Sequence, residues 1–128
     1  MTKINAFVAH SFTENDREVV NKILTYLTQL SNSSLGFSWE HAEEAEPNDL
    51  VSKVLSRIED KNLFIGICTK KERVIPNDKL NSLPLFKTKL WGQEDNFKWK
   101  TSDWIIQEIG LAVGKGLKLL LLVEEGLN

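Results

Sequence analysis

The sequence predicts an α/β fold built on a parallel sheet, and three observations carry that expectation. Strand-like apolar runs alternate with amphipathic helical stripes along the chain. Two of the runs, Leu63 to Cys68 and Leu117 to Val123, are apolar almost throughout, the first of them as in a strand covered on both faces. Helical stretches separate successive strands, the spacing that parallel pairing through crossovers requires.

The first strand reads from Ile4 to Ala9, ending at His10-Ser11. Thr13 and Asp16, a hydroxyl and a carboxylate three residues apart, fit a capping box. The helix they would open carries Val19, Val20, Ile23, Leu24, Leu27 and Leu30 at helical period, and Ser31 to Gly36 punctuates its end. A short second strand follows at Phe37-Ser38-Trp39, then a polar loop from His41 to Asp49 containing Pro47. A second helix runs from about Asp49 to Asp60 with Leu50, Val51, Val54, Leu55 and Ile58 on one side. The third strand is Leu63 to Cys68. From Thr69 to Thr101 the periodic signal weakens, and a stretch of that length is either a functional loop or hides short elements. A third helix spans about Ser102 to Val113, stopped by Gly114 and Gly116, and Leu117 to Val123 is the fourth strand. The expected fold is a flavodoxin-like three-layer sandwich with a parallel sheet in the order 2-1-3-4. With only five residues after it, the last strand has no covering helix. The expectation is that the C-terminal part of such a fold is missing or truncated and that the chain is a single domain (1–128) belonging to a longer protein, with a further domain or another chain expected to cover the 117–123 edge.

Composition narrows the function classes. Sixteen Lys and Arg against eighteen Asp and Glu give no basic surplus, which speaks against nucleic acid as the main partner. The single cysteine, Cys68, excludes an internal disulfide and suits a reducing, cytoplasmic setting; inside an apolar strand it reads as a small buried residue. No stretch is long and apolar enough for a signal peptide or a membrane span. P-loop, G-x-G-x-x-G and G-x-S-x-G motifs are absent, and His10, His41 and Cys68 match no zinc spacing, so no metal and no bound cofactor are expected.

In open parallel sheets, ligands bind beyond the carboxyl ends of the strands. That rule points to His10, Ser11 and Phe12 after the first strand, to the loop from Glu40 to Asn48 after the second, to Thr69 onward after the third, and to the first two turns of the third helix, which begins on the same side. Trp104 and Glu108 lie one turn apart on that helix. At about 100° per residue, Ile105, Ile109, Ala112 and Val113 form its buried arc and Glu108 falls at the margin. The helical neighbours of Glu108 are Trp104, Ile105, Leu111 and Ala112, none of them a salt partner. Taken alone, Trp104 reads equally as packing or as a stacking surface, and Phe12 as a residue that closes the core.

Three segments together resemble TIR (Toll/interleukin-1 receptor) domains, especially bacterial ones that consume NAD+. Phe7 to Asp16 is similar to the family's opening box. Gly36-Phe37-Ser38 and the acidic loop with Pro47 resemble its second strand and BB loop, with Pro47-Asn48 in place of the usual Pro-Gly. Ser102 to Ile109, followed by Gly114-Lys115-Gly116 and an apolar strand, resembles the segment that holds the catalytic glutamate. The resemblance implies cleavage of the nicotinamide–ribose bond of NAD+ as a substrate, with Glu108 catalytic and His10, Ser11, Phe12, Trp39, Glu43 and Trp104 as substrate-binding candidates. It further implies an effector in bacterial antiviral defence or cell-death signalling. Two alternatives stay open: a non-enzymatic TIR assembly module, and an enzyme similar to nucleoside 2-deoxyribosyltransferases. The acidic loop 40–49 and the lysine-rich loop 70–101 suggest head-to-tail self-association, prompted by how such domains assemble.

Overall fold

A computed structural model of the chain describes residues 3–33, 36–41, 50–83 and 86–127. In chain order the elements are β1 (Ile4–Ala9), α1 (Arg17–Ser33), β2 (Phe37–His41), α2 (Leu50–Ile58), β3 (Leu63–Cys68), β4 (Glu72–Val74), β5 (Asn81–Leu83), β6 (Phe86–Trp91), β7 (Lys98–Lys100), α3 (Asp103–Gly114) and β8 (Lys118–Val123). Strands β2-β1-β3-β8 form one sheet in that order, and every pair in it is parallel. This is the expected order, with β8 as the fourth strand of the sequence reading.

Strand alternation sorts the core onto two faces. Ala6, Val8, Ile65 and Ile67 pack with Val20 and Leu27 of α1, flanked by Ile23, Leu24 and Trp39. Phe7, Ala9 and Phe64 pack with Val54 and Ile58 of α2 and Ala112 of α3. Helices therefore cover both faces, and the molecule is a three-layer flavodoxin-like α/β sandwich. Phe7 and Phe64 stack with centroids 5.8 Å apart. Each is fully buried, which stabilises the fold by about 1.5–3 kcal/mol per side chain.

Three local expectations need correction. The Thr13 and Asp16 side chains do not cap a helix as a box: a 3-10 turn at Glu14–Asp16 comes first, and the Thr13 hydroxyl donates to the Asp16 carboxylate, which also accepts from Thr69, instead of either side chain meeting a backbone N–H. Val19 lies outside the α1 stripe, 52% exposed, because the packed positions 20, 23, 24 and 27 place it on the solvent side. In α3 the buried arc is Ile105, Glu108 and Ala112, whereas Val113 is 57% exposed. Glu108 is thus inside the arc rather than at its margin.

The weak stretch from 69 to 101 does hide short elements. β4 pairs with β7, and β5 with β6, both antiparallel. The β4–β7 ribbon is knitted by the Arg73 guanidinium, 4.8 Å from the centre of the Phe97 ring and 5.8 Å from that of Trp99, and by its ion pair with Glu94. Glu72 and Asp103 both pair with Lys100, which ties the ribbon to the start of α3. On the far side of the sheet, β8 pairs only with β3 among the described residues, and Leu119 to Val123 are 38–53% exposed.

Candidate functional site

Helix α3 starts on the side of the sheet where the parallel strands end. The Ser102 hydroxyl caps it, accepting from the backbone N–H of Ile105 at 3.3 Å. Six residues further on, Glu108 is 5% exposed and flanked in the arc by Ile105 and Ala112. Its Oε2 is buried and has no hydrogen-bond partner among the described residues. An ionised carboxylate in that setting is poorly solvated, so burial pushes its pKa up to about 7. Helical side chains lean toward the N-terminus of their helix, and the N-terminal end of α3 is the one on the strand-tip side.

The tip of β1 is built from rings and hydroxyls. His10 is buried; its Nδ1 lies 2.9 Å from the carbonyl oxygen of Ser11 and its Nε2 3.4 Å from Nδ1 of His41. The two imidazoles stack with centroids 5.4 Å apart, Phe12 tilts against His10 at 4.8 Å, and Trp39 lies 5.8 Å from His41. Burial lowers the pKa of His10, the Ser11 carbonyl works against that, and His41 lowers it further. The outcome is an aromatic shelf across the ends of β1 and β2, with Phe12 exposed.

Beside it stands a polar hub that the sequence reading did not identify. The Asp16 carboxylate accepts from Thr13 Oγ1 at 3.1 Å and Thr69 Oγ1 at 2.9 Å, and pairs with Lys71. Ser11 Oγ is 2.9 Å from Thr13 Oγ1, which Lys71 Nζ also reaches at 2.7 Å. Burial alone would raise the pKa of Asp16. Hydrogen bonds led by Lys71 and Thr69 more than offset this and hold it below the usual carboxylate range. Asp16 belonged to the apparent capping box and Lys71 to the lysine-rich loop, but no spacing in the chain links them.

The predicted site residues therefore divide. His10, Ser11 and Phe12 gather at the tip of β1. Trp39 joins the shelf but packs on the α1 face of the sheet, opposite α3. Trp104, 37% exposed, lies one turn before Glu108 on α3. Glu43 falls outside the described residues, as does most of the acidic loop proposed for self-association. In the lysine-rich loop, Lys70 lies over the Trp99 ring at 5.7 Å, and Lys71, Arg73 and Lys100 are held in internal ion pairs. The described residues bring together no group of three side chains able to hold a metal ion, and none of their helices is long and apolar enough to cross a membrane.

Chemically, the arrangement offers one desolvated carboxylate that titrates near neutrality, hydroxyls and an imidazole at a strand tip, and exposed aromatic surface at Phe12 and Trp104. Against family models, curated proteins and solved structures, the chain shows no match.

Proposed function

We propose that this chain is a TIR-type NAD+ glycohydrolase that cleaves the bond between nicotinamide and ribose, acting in the bacterial cytoplasm as a defence or cell-death effector. The observation that carries the proposal is Glu108: a carboxylate buried in the apolar arc of α3, without a partner and with its pKa raised to about 7. Such a group costs stability unless a ligand completes it.

The chemistry suits a single acid side chain. Nicotinamide departs neutral from a cationic precursor, so the leaving group needs no proton, and the second carboxylate of an ordinary glycosidase is dispensable. Ionised Glu108 accepts hydrogen bonds from the ribose hydroxyls and stabilises the positive charge that develops on the sugar as the bond breaks. Water then completes hydrolysis; attack by a nitrogen of the adenine would instead give a cyclic product. Phe12 and Trp104 supply exposed aromatic surface for the rings of the dinucleotide.

The exposed run Leu119 to Val123 on the β8 edge favours a second reading, in which the domain works by assembly alone. Incubation with NAD+ at high protein concentration, with nicotinamide quantified, separates the two. The glycohydrolase reading expects release from the native protein and none from folded Glu108→Ala. Equal release from both would sink the assignment of Glu108.

A further inference from the structure

The outer edge of β8 is open, and the residues along it are complementary to themselves. Among the described residues β8 pairs only with β3. The N–H groups of Lys118 at its start and Glu124 just past its end turn inward, to the carbonyl oxygens of Asn62 and Cys68 at 3.3 and 2.9 Å. Alternate residues of a strand direct their backbone groups to opposite edges, so Leu119, Leu121 and Val123 direct theirs outward. Both faces of the strand are exposed as well. Leu119 and Leu121 lie beside Phe64 and Gly66 on the α3 side, and Leu120 and Leu122 beside Ile65 and Ile67 on the α1 side.

An edge of this kind recruits another strand, and the order of its residues selects which. From Lys118 to Glu124 the chain reads as a cation, five apolar residues and an anion. When two copies are laid antiparallel about a twofold axis at Leu121, Lys118 of each faces Glu124 of the other. Leu119 then faces Val123, and Leu120 faces Leu122. This register sets outward-directed residues opposite one another, as antiparallel hydrogen bonding requires. A slip of two residues sets Lys118 opposite Leu122 or Gly126 and loses both charge pairs. A parallel copy in register sets lysine beside lysine instead. Lys118 is exposed and enters no ion pair among the described residues. Glu124 is exposed and uses one carboxylate oxygen for the backbone N–H of Lys70 at 3.2 Å. We propose that β8 docks on β8 of a second copy of this chain, antiparallel about Leu121, joining the two sheets into one. Both copies use the same edge, so the pairing consumes it and stops at a dimer. It holds whether or not Glu108 acts on NAD+.

Sedimentation equilibrium of the full chain should show monomer and dimer and nothing larger. The register also fixes what introduced cysteines report. Leu121→Cys brings two thiols together at the axis, where facing Cα atoms are about 5.5 Å apart and within disulfide reach. Leu119→Cys holds its thiols roughly 14 Å apart along the strands, because each faces Val123 rather than its own equivalent. Mild oxidation should therefore cross-link the first variant and not the second; the native thiol, Cys68, is buried. Lys118→Glu turns both charge pairs repulsive and should weaken the dimer about tenfold. Adding Glu124→Lys to it should restore the dissociation constant to within about threefold of native. The charge variants alter exposed residues and carry the test if a cysteine variant misfolds. A chain that stays monomeric at high concentration, or grows past a dimer, overturns the proposal. So does equal cross-linking at positions 119 and 121, a folded Lys118→Glu that dimerises like native, or a folded double variant that stays as weak as the single.

Discussion

Removing the charge of Glu108 while keeping its shape gives the most direct test of the observation on which the functional reading depends. The folded-state pKa of about 7 lies above the ordinary 4.5 expected in the unfolded chain. Between those values the native state binds more protons than the unfolded state, so the carboxyl lowers stability as pH rises from 4.5 through 7. The gap corresponds to a penalty of about 3 kcal/mol when fully developed, at ~1.4 kcal/mol per pH unit. Glutamine carries no such penalty, and all other titrating groups cancel between the two proteins. Urea unfolding of native protein and Glu108→Gln at pH 4.5 and pH 8 should therefore show the variant gaining about 2–3 kcal/mol relative to native at the higher pH, a large fraction of a typical domain's stability. A stability difference independent of pH would mean that Glu108 is solvated or paired in solution. The physical basis for its proposed catalytic role would then be gone.

Three further outcomes follow from the same geometry. The kcat/KM for nicotinamide release should rise with pH through about 7 and level off above it, because the reaction needs the ionised form of Glu108; a flat profile from pH 5.5 to 8.5 would contradict this. Asp16→Asn should lose roughly 2 kcal/mol in urea unfolding near pH 7, since it strips the charge from a mostly buried hub and leaves Lys71 without its counter-ion; the loss should shrink on acidification below pH 4, and an unchanged midpoint at pH 7 would show the hub to be dispensable. Leu120→Lys, which places a charge on the uncovered strand edge, should suppress concentration-dependent scattering if β8 mediates association, and leave it unchanged if β8 does not.

How much the sequence disclosed depended on what kind of contact each residue makes. β3 was legible because an unbroken apolar run such as Leu63 to Cys68 has few alternatives to a covered parallel strand, and β8 because its run of leucines after a glycine stop fits the next parallel strand, although its residues stay exposed. α1 was legible because the polar positions between Val20, Ile23, Leu24 and Leu27 fix the period. α3 was placed correctly but rotated wrongly. Ile106 and Val113 are as apolar as Ile105 and Ile109, so the pattern could not fix which face turns inward, and Glu108 was set at the edge of an arc it lies within. The ribbon of β4 and β7 escaped because its strands are three residues long and its cohesion comes from Arg73 against Phe97 and Trp99, contacts with no sequence period. The Asp16 hub joins residues 53 and 55 positions apart in the chain, Thr69 and Lys71, and only the tertiary fold brings them to the same carboxylate.

A pKa near 7 also constrains which substrate such a site can serve. As a general acid for a neutral glycoside, Glu108 would need a second, ionised carboxylate on the opposite face of the sugar. Asp16, the other buried carboxylate among the described residues, is committed to Lys71 and two threonine hydroxyls. As an anion acting alone, Glu108 is half-protonated in the free protein at neutral pH. A ligand that brings its own positive charge changes that balance, since a nearby cation favours the ionised form and lowers the pKa. The pyridinium of NAD+ is such a cation, and as the bond breaks its charge passes to the ribose carbon. Under the proposed glycohydrolase reading, the substrate would help to ionise the residue that acts on it, and the desolvation that makes Glu108 costly in the empty protein would strengthen its attraction for that charge in the complex.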